Sequence, residues 1–154
     1  ACEAAGTLAG GGSQSDYLVA RQALETGNYD LAIRRYSRLM DSMDGQRAAR
    51  LHLEYAHALL RVDQYEQAAN AAGTLISSHE GSIRASALAV RGTARHEAAR
   101  TRMAEGQHDA TTRGLLDGAR TDLAAFLADH ASLDSSGSMR ARAQLIAADL
   151  QTLG

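Results

Sequence analysis

The chain contains no proline, no tryptophan and no lysine, and it has one phenylalanine and one cysteine. Proline breaks helical hydrogen bonding and alanine is the best helix former, so a proline-free chain rich in alanine is favoured to be helical. Aromatic residues make up 4% of the 154 residues and hydrophobic residues 45%, so alanine and leucine must fill the core. These absences predict an all-α protein.

Strong charge of one sign and long apolar runs are also missing. The formal net charge is -2 at pH 7, so we expect no nucleic-acid partner and no electrostatic attraction to an anionic membrane. No stretch approaches the roughly 18 consecutive apolar residues of a transmembrane helix. We therefore expect membrane contact only through a lipid anchor.

Residue patterns that carry enzyme chemistry are not recognisable. His52 and His57 are five residues apart, and "HEAAR" at His96 lacks the second histidine of a zinc-protease motif. No GxSxG sequence and no phosphate-binding loop is present. We expect a protein that is not an enzyme and that has no cofactor and no metal site.

Residues 1–14, "ACEAAGTLAGGGSQ", are small and without periodicity, which predicts a flexible N-terminal tether. Ala1, Cys2 and the following Gly/Ser linker resemble the processing site of bacterial lipoproteins. The resemblance implies lipidation of Cys2. In bacterial lipoproteins, aspartate after the cysteine commonly signals retention at the inner membrane. Because Glu3 stands at this position instead, the resemblance also implies a location at the periplasmic face of the outer membrane. The alternatives are an exposed thiol in a frayed terminus and a cytoplasmic location.

Residues 15–154 form one predicted helical domain. Apolar residues recur at helical spacing, which predicts helix pairs over 15–43, 46–78 and 82–131 and a single helix over 138–153. We expect Asn28 to cap the second helix and Asp63, with Glu66 three places on, to form a capping box. Gly81 is expected to stop the fourth helix and Ser82 to cap the fifth.

Two stretches of the chain are alike. Tyr29 and Ala32 align with Tyr65 and Ala68, 36 residues later, and Gly27 and Asp63 stand two places before each tyrosine. This pattern resembles tetratricopeptide repeats, whose period is about 34 residues, although the early tryptophan and the late proline of that family are absent. The resemblance implies about three antiparallel helix-turn-helix pairs stacked in a solenoid.

Two features depart from a plain stack of pairs. Residues 100–113 make the third predicted unit longer than the repeat. This extra segment is either a local irregularity or a binding feature. The final helix is expected to cap the open apolar end of the stack. The alternative role of that helix is dimerisation, so we expect a monomer or a weak homodimer.

In such solenoids the first helix of each pair lines a concave groove, which implies a protein or peptide partner. The groove is rich in arginine, and guanidinium groups pair well with carboxylates. Its predicted lining residues are Tyr17, Arg21, Glu25, Arg50, Leu53, His57, Arg61, Thr93, His96 and Arg100. The alternative is that these residues form an ordinary solvated helix face.

The resemblances together imply a non-catalytic interaction scaffold or adaptor. The expected protein is a lipid-anchored bacterial envelope lipoprotein that assists assembly of an outer-membrane or cell-surface complex. The alternative is a soluble structural or regulatory subunit of a larger complex.

Overall fold

The computed structural model describes residues 15–42 and 45–154, and every regular element in these two ranges is helical. The predicted all-α class is therefore confirmed. Cys2 and the predicted tether lie outside the described residues. The elements are α1 (15–25), α2 (Tyr29–Met40), α3 (Gly45–Arg61), α4 (Tyr65–Ser78), α5 (Gly81–Ala104), α6 (Ala110–His130), a 3-10 turn (Ala131–Leu133) and α7 (Ser138–Leu153).

Each helix from α2 to α6 packs against the next one along the chain. Helix α3 also packs against α5, and α5 against α7, so alternate helices lie side by side as well. Helix α1 joins the same stack through an ion pair of 2.6 Å between Asp16 and Arg35 of α2. The buried apolar residues of the described ranges form three clusters along this series of helices.

Alanine fills the places where helices cross. Ala32 of α2 and Ala68 of α4, which the sequence aligned, are both fully buried. Ala94 of α5 and Ala119 of α6 are fully buried as well. A side chain of one carbon lets two helix backbones approach closely, which is how a chain with so few aromatic residues builds a dense core.

Three helix ends share one turn geometry. Gly27, Asp63 and Gly106 each have a positive φ, at 83°, 63° and 79°. At each end the next residue donates its N–H to a carbonyl five residues back, and the positive-φ residue donates to one three residues back. These are the two hydrogen bonds of the Schellman motif. The turns after α1, α3 and α5 are therefore equivalent.

The third unit is longer than the second. Helix α5 has 24 residues and α3 has 17, so α5 is seven residues longer, which is about two helical turns. Of the segment 100–113 that the sequence singled out, residues 100–104 continue α5, residues 105–109 connect the two helices and residues 110–113 begin α6. Helix α6 begins at Ala110, where the Asp109 carboxylate accepts the Thr112 N–H at 3.0 Å.

Two of the predicted helix caps are wrong, and a third makes no side-chain hydrogen bond. Asn28 occupies the cap position of α2, but its side chain makes no capping hydrogen bond. The capping box of Asp63 and Glu66 is wrong: α4 begins after Gln64, because Asp63 belongs to the preceding turn and accepts a hydrogen bond from the Tyr65 hydroxyl at 3.0 Å.

Ser82 is not the cap of α5 either. The helix already begins at Gly81, and the extended residue Glu80 holds the cap position without a side-chain hydrogen bond. Gly81 itself has a positive φ of 67°, so the chain reverses there, one residue earlier than the serine pattern indicates. Within the described ranges, no helix combines the length and the apolar character needed to cross a bilayer.

Candidate partner-binding groove

The predicted groove residues lie on α1, α3 and α5, but the structure divides them into three sets with different surroundings. The set on α1 is Tyr17, Arg21 and Glu25. The set on α3 is Arg50, Leu53, His57 and Arg61. The set on α5 is Thr93, His96 and Arg100.

The α1 set is bound to α3. Glu54 of α3 accepts hydrogen bonds at one carboxylate oxygen from Arg21 at 2.9 Å and from the Tyr17 hydroxyl at 3.2 Å. Arg21 also pairs with Glu25 at 3.0 Å. The hydrogen bond with Tyr17, and then that with Glu25, raise the pKa of Arg21. Arg21 is therefore not the freely available cation that the sequence suggested, because it holds α1 against α3.

Two buried oxygens lie near this network without a partner among the described residues. They are the Tyr36 hydroxyl of α2 and the Oε2 atom of Glu54. Burial raises the pKa of Tyr36, and the negative charge of Glu54 raises it further. Tyr36 thus remains a neutral phenol, and the hydrogen bonds of Glu54 join α3 to α1.

The α5 set is covered by α7. His96 is fully buried, with Nε2 at 2.7 Å from Asp149 and Nδ1 at 2.9 Å from Arg142. The expectation that His96 faces an open groove is wrong, because the last helix lies over it. Thr93 donates to the Met139 sulfur at 3.9 Å. Arg100 remains exposed beside α7.

Two residues of the α3 set reach an open groove. His57 and Arg61 lie on one wall of a depression of about 490 Å³, which is bounded by the end of α3, the middle of α5 and the start of α7. Among the described residues, Arg61 makes no ion pair. Partial desolvation of the ring by nearby protein atoms, and then the charge of Arg61, lower the pKa of His57. We call this depression the central groove.

The central groove combines apolar and charged walls. Apolar atoms come from α3, α5 and α7, and the charged side chains around them have both signs. The apolar lining residues are Leu60, Ala89, Val90 and Met139, and the charged ones are Arg61, Asp63, Glu97 and Arg142. Arg142 is already engaged with Glu97 at 2.8 Å. Among the side chains described, Arg61 is consequently the groove cation that makes no ion pair.

Arg50 and Leu53 do not join the central groove. Arg50 is exposed and lines a separate, smaller hollow of about 290 Å³ together with Arg47, Ser82 and Ile83. Leu53 is partly buried against a cluster of buried apolar residues that includes Leu59 and Leu88. The structure therefore brings together His57, Arg61 and Thr93 from the predicted list and separates Arg50 from them.

A second groove of about 700 Å³ lies between α4, α5 and α6. Ala94, Ala98, Arg95 and Arg102 of α5 contribute to its lining, and Tyr65 separates it from the central groove because it borders both. The sequence-based prediction missed these residues. The signal that could have found them is the longer third unit, since a long α5 extends past the start of α4.

Coordination chemistry is not evident in the ranges described. No group of three histidine, cysteine, aspartate or glutamate side chains lies close enough to hold a metal ion in 15–42 and 45–154. What the central groove offers is an apolar surface beside an available guanidinium, which suits a chain carrying a carboxylate.

No protein-family model, curated protein or solved structure matches the chain.

Proposed function

We propose that the protein is a non-catalytic interaction scaffold of the tetratricopeptide-repeat type, which binds a partner protein through the central groove. The repeat assignment is supported by the Schellman turns at Gly27 and Asp63, by the buried alanines Ala32 and Ala68, and by the packing of α3 on α5. These three features are consistent with stacked antiparallel pairs.

The observation that carries the proposal is the position of Arg61. Its side chain stands at the wall of an open groove beside Leu60 and Val90, and it has no ion pair among the described residues. Arginine is favoured at interfaces because its planar group can bind a carboxylate through two hydrogen bonds. The partner segment would be an extended stretch with an acidic residue next to an apolar one.

Crosslinking in the native host with Arg61→Glu tests this function. Charge reversal at a desolvated contact should weaken binding by about 1–3 kcal/mol, so partners captured by the wild-type protein should be largely lost. Arg50→Glu is the matched control, because Arg50 lies on the same helix but outside the central groove. Equal capture by both variants, with unchanged helicity, would rule out this groove as the binding site.

The cellular setting is part of the same proposal. Cys2 carries a lipid that holds the scaffold at the periplasmic face of the outer membrane, where it assists assembly of an outer-membrane or cell-surface complex. The support is the sequence of Ala1, Cys2 and the linker after them.

The intact mass of the protein from host membranes tests the anchor. A species that begins at Cys2 and is heavier by acyl chains is expected. An unmodified protein in the soluble fraction would instead favour a soluble structural or regulatory subunit.

A further inference from the structure

Helix α7 packs mainly against α6, and its apolar side chains share one cluster with residues of α5 and α6. Within the described ranges, Ile146 is the one fully buried residue of α7. Polar contacts join α7 to α5 as well: the fully buried His96 of α5 bridges two α7 side chains, Asp149 at 2.7 Å and Arg142 at 2.9 Å. These polar contacts between α7 and α5 therefore depend on the protonation of one imidazole ring.

The hydrogen bonds determine where the proton of His96 lies. A guanidinium group has donors and no acceptor, so Arg142 must donate to Nδ1, and Nδ1 must carry a lone pair. The proton is then on Nε2, which donates to Asp149. The two hydrogens of Arg142 Nη1 are both used, one by His96 and one by Glu97 at 2.8 Å. His96 can fill this position only as a neutral ring.

A second proton on His96 would disrupt this arrangement. It would replace the lone pair of Nδ1 by an N–H that points at the Arg142 guanidinium. The charged groups that act on the ring are Asp149 and Arg142 of α7 and Glu97 of α5, and Arg100 reaches Asp149 at 3.9 Å. The two carboxylates favour the charged ring, but burial, which is the largest effect, and Arg142 oppose it and lower the pKa of His96.

We propose that α7 is an acid-released strap, which a neutral His96 holds across α5 and which protonation of His96 loosens. Met139 and Arg142 of α7 form part of the wall of the central groove, so release would open that groove at one end. It would also uncover Thr93 and His96, which the sequence placed on the partner-binding face. The inference concerns α7 itself and holds whether or not the groove has a partner.

The expected pH range follows from the sign of the pKa shift. A solvated histidine titrates near pH 6.5, and docking lowers the pKa of His96, so the docked state binds the proton less readily than the released state. Docking of α7 is therefore at full strength above about pH 6.5 and weakens as the pH falls below it. Between pH 7.5 and pH 5.5 the docking equilibrium constant should drop, by up to roughly tenfold.

Hydrogen exchange measured peptide by peptide on the full chain tests the strap. The protection factors of residues 138–153, corrected for the intrinsic pH dependence of exchange, should fall from pH 7.5 to pH 5.5, by up to roughly tenfold. Those of α4 should stay constant and serve as the internal reference. Constant protection of α7 across this range would overturn the proposal.

His96→Gln is the discriminating variant, because glutamine has an acceptor for Arg142 and a donor for Asp149 but does not titrate. It should keep α7 protected at both pH values. His57→Gln is the matched control, since His57 also borders the central groove, and it should respond like the wild type. A pH response that survives His96→Gln, or one that His57→Gln removes, contradicts the assignment to His96.

A measurement on the wild-type protein tests the proposal even if the His96→Gln variant does not fold. Nitrogen NMR of His96 should show the Nε2–H form at pH 7.5, and its titration should coincide with the loss of α7 protection. Titration of His96 with no change in α7 would overturn the proposal.

Discussion

Gly92 of α5 faces Leu123 of α6 so closely that a methyl group added at Gly92 would lie 2.7 Å from the Cδ2 atom of Leu123. Leu123 is fully buried, so it has little room to move away. The glycine thus sets the distance between the two longest helices of the protein.

Gly92→Ala should destabilise the protein by about 1–3 kcal/mol, the usual cost of adding an atom to a filled core. The measurement is the free energy of unfolding in urea, followed by circular dichroism. Gly114→Ala is the control, because a Cβ at this α6 position meets nothing within 4 Å. There alanine should stabilise by roughly 0.5–1 kcal/mol through helix propensity. The same sign for both substitutions would contradict the close approach at Gly92.

Ala32→Leu and Ala68→Leu should each cost about 1–3 kcal/mol, because both residues are fully buried where helices cross. If the two sites are structurally equivalent, their costs should agree to within about 1 kcal/mol. Thermal unfolding of the single variants measures this. Ala128→Leu, at an exposed position of α6, should change the melting temperature little. An unaffected melting curve for either buried substitution would count against the repeat interpretation.

Asp122→Asn should be among the most damaging single changes. The Asp122 side chain is 2% exposed and accepts hydrogen bonds from Arg91 at 2.8 and 3.0 Å and from Arg95 at 3.0 Å. Removing the buried charge leaves two guanidinium groups without their partner, and because both are partly exposed the cost should be about 2–4 kcal/mol.

Asp117→Asn is the comparison for Asp122 on the same helix. Asp117 pairs with Arg120 at the surface, where both side chains are largely exposed, so its loss should stay within about 0.5 kcal/mol. Urea unfolding of the two variants gives the difference directly. Comparable losses at the two positions would mean that the pairing of Asp122 with α5 is not important for stability.

The ionisation of Asp109 makes the free energy of unfolding depend on pH. The hydrogen bond from the Thr112 N–H, and then the one from Arg102, lower the pKa of Asp109 from its ordinary value of 3.8 to about 2. A folded-state pKa below the unfolded one means that the carboxylate stabilises the protein above pH 3.8 and that this contribution is lost as the pH falls through about 2.

Melting temperatures of the wild type and of Asp109→Asn, compared between pH 6 and pH 2, check this linkage. The wild type should melt higher at pH 6, and the gap should close toward pH 2 because asparagine still caps a helix but does not titrate. A gap that is independent of pH would exclude the carboxylate of Asp109 as its source.

Much of the fold could be predicted because its signals are local. Alanine content, apolar spacing and the turn residues Gly27 and Asp63 placed the helices, since propensity and chain reversal act over a few residues. The capping box at Asp63 and the cap at Ser82 were predicted wrongly for a related reason. Several residues near each turn suit a cap, and the sequence does not show which of them the reversal leaves outside the helix.

The candidate site was predictable only in part. The exposure of His57 and Arg61 could be predicted, because it depends on the periodicity of α3 alone. The contacts of Arg21 and His96 could not be predicted, because Glu54 and Asp149, which bind them, lie 33 and 53 residues away along the chain. No local pattern reports such a contact.

Local features of the sequence were enough to predict that the chain is helical, where most helices lie, and that α5 is long. Those properties follow from backbone propensity and from the spacing of apolar residues. Three other features are evident only in the packed structure: α7 lies over His96, Arg61 makes no ion pair among the residues described, and two grooves border Tyr65. Each of these depends on how helices distant in sequence pack against one another, and packing is set by the shapes of all the side chains that meet there.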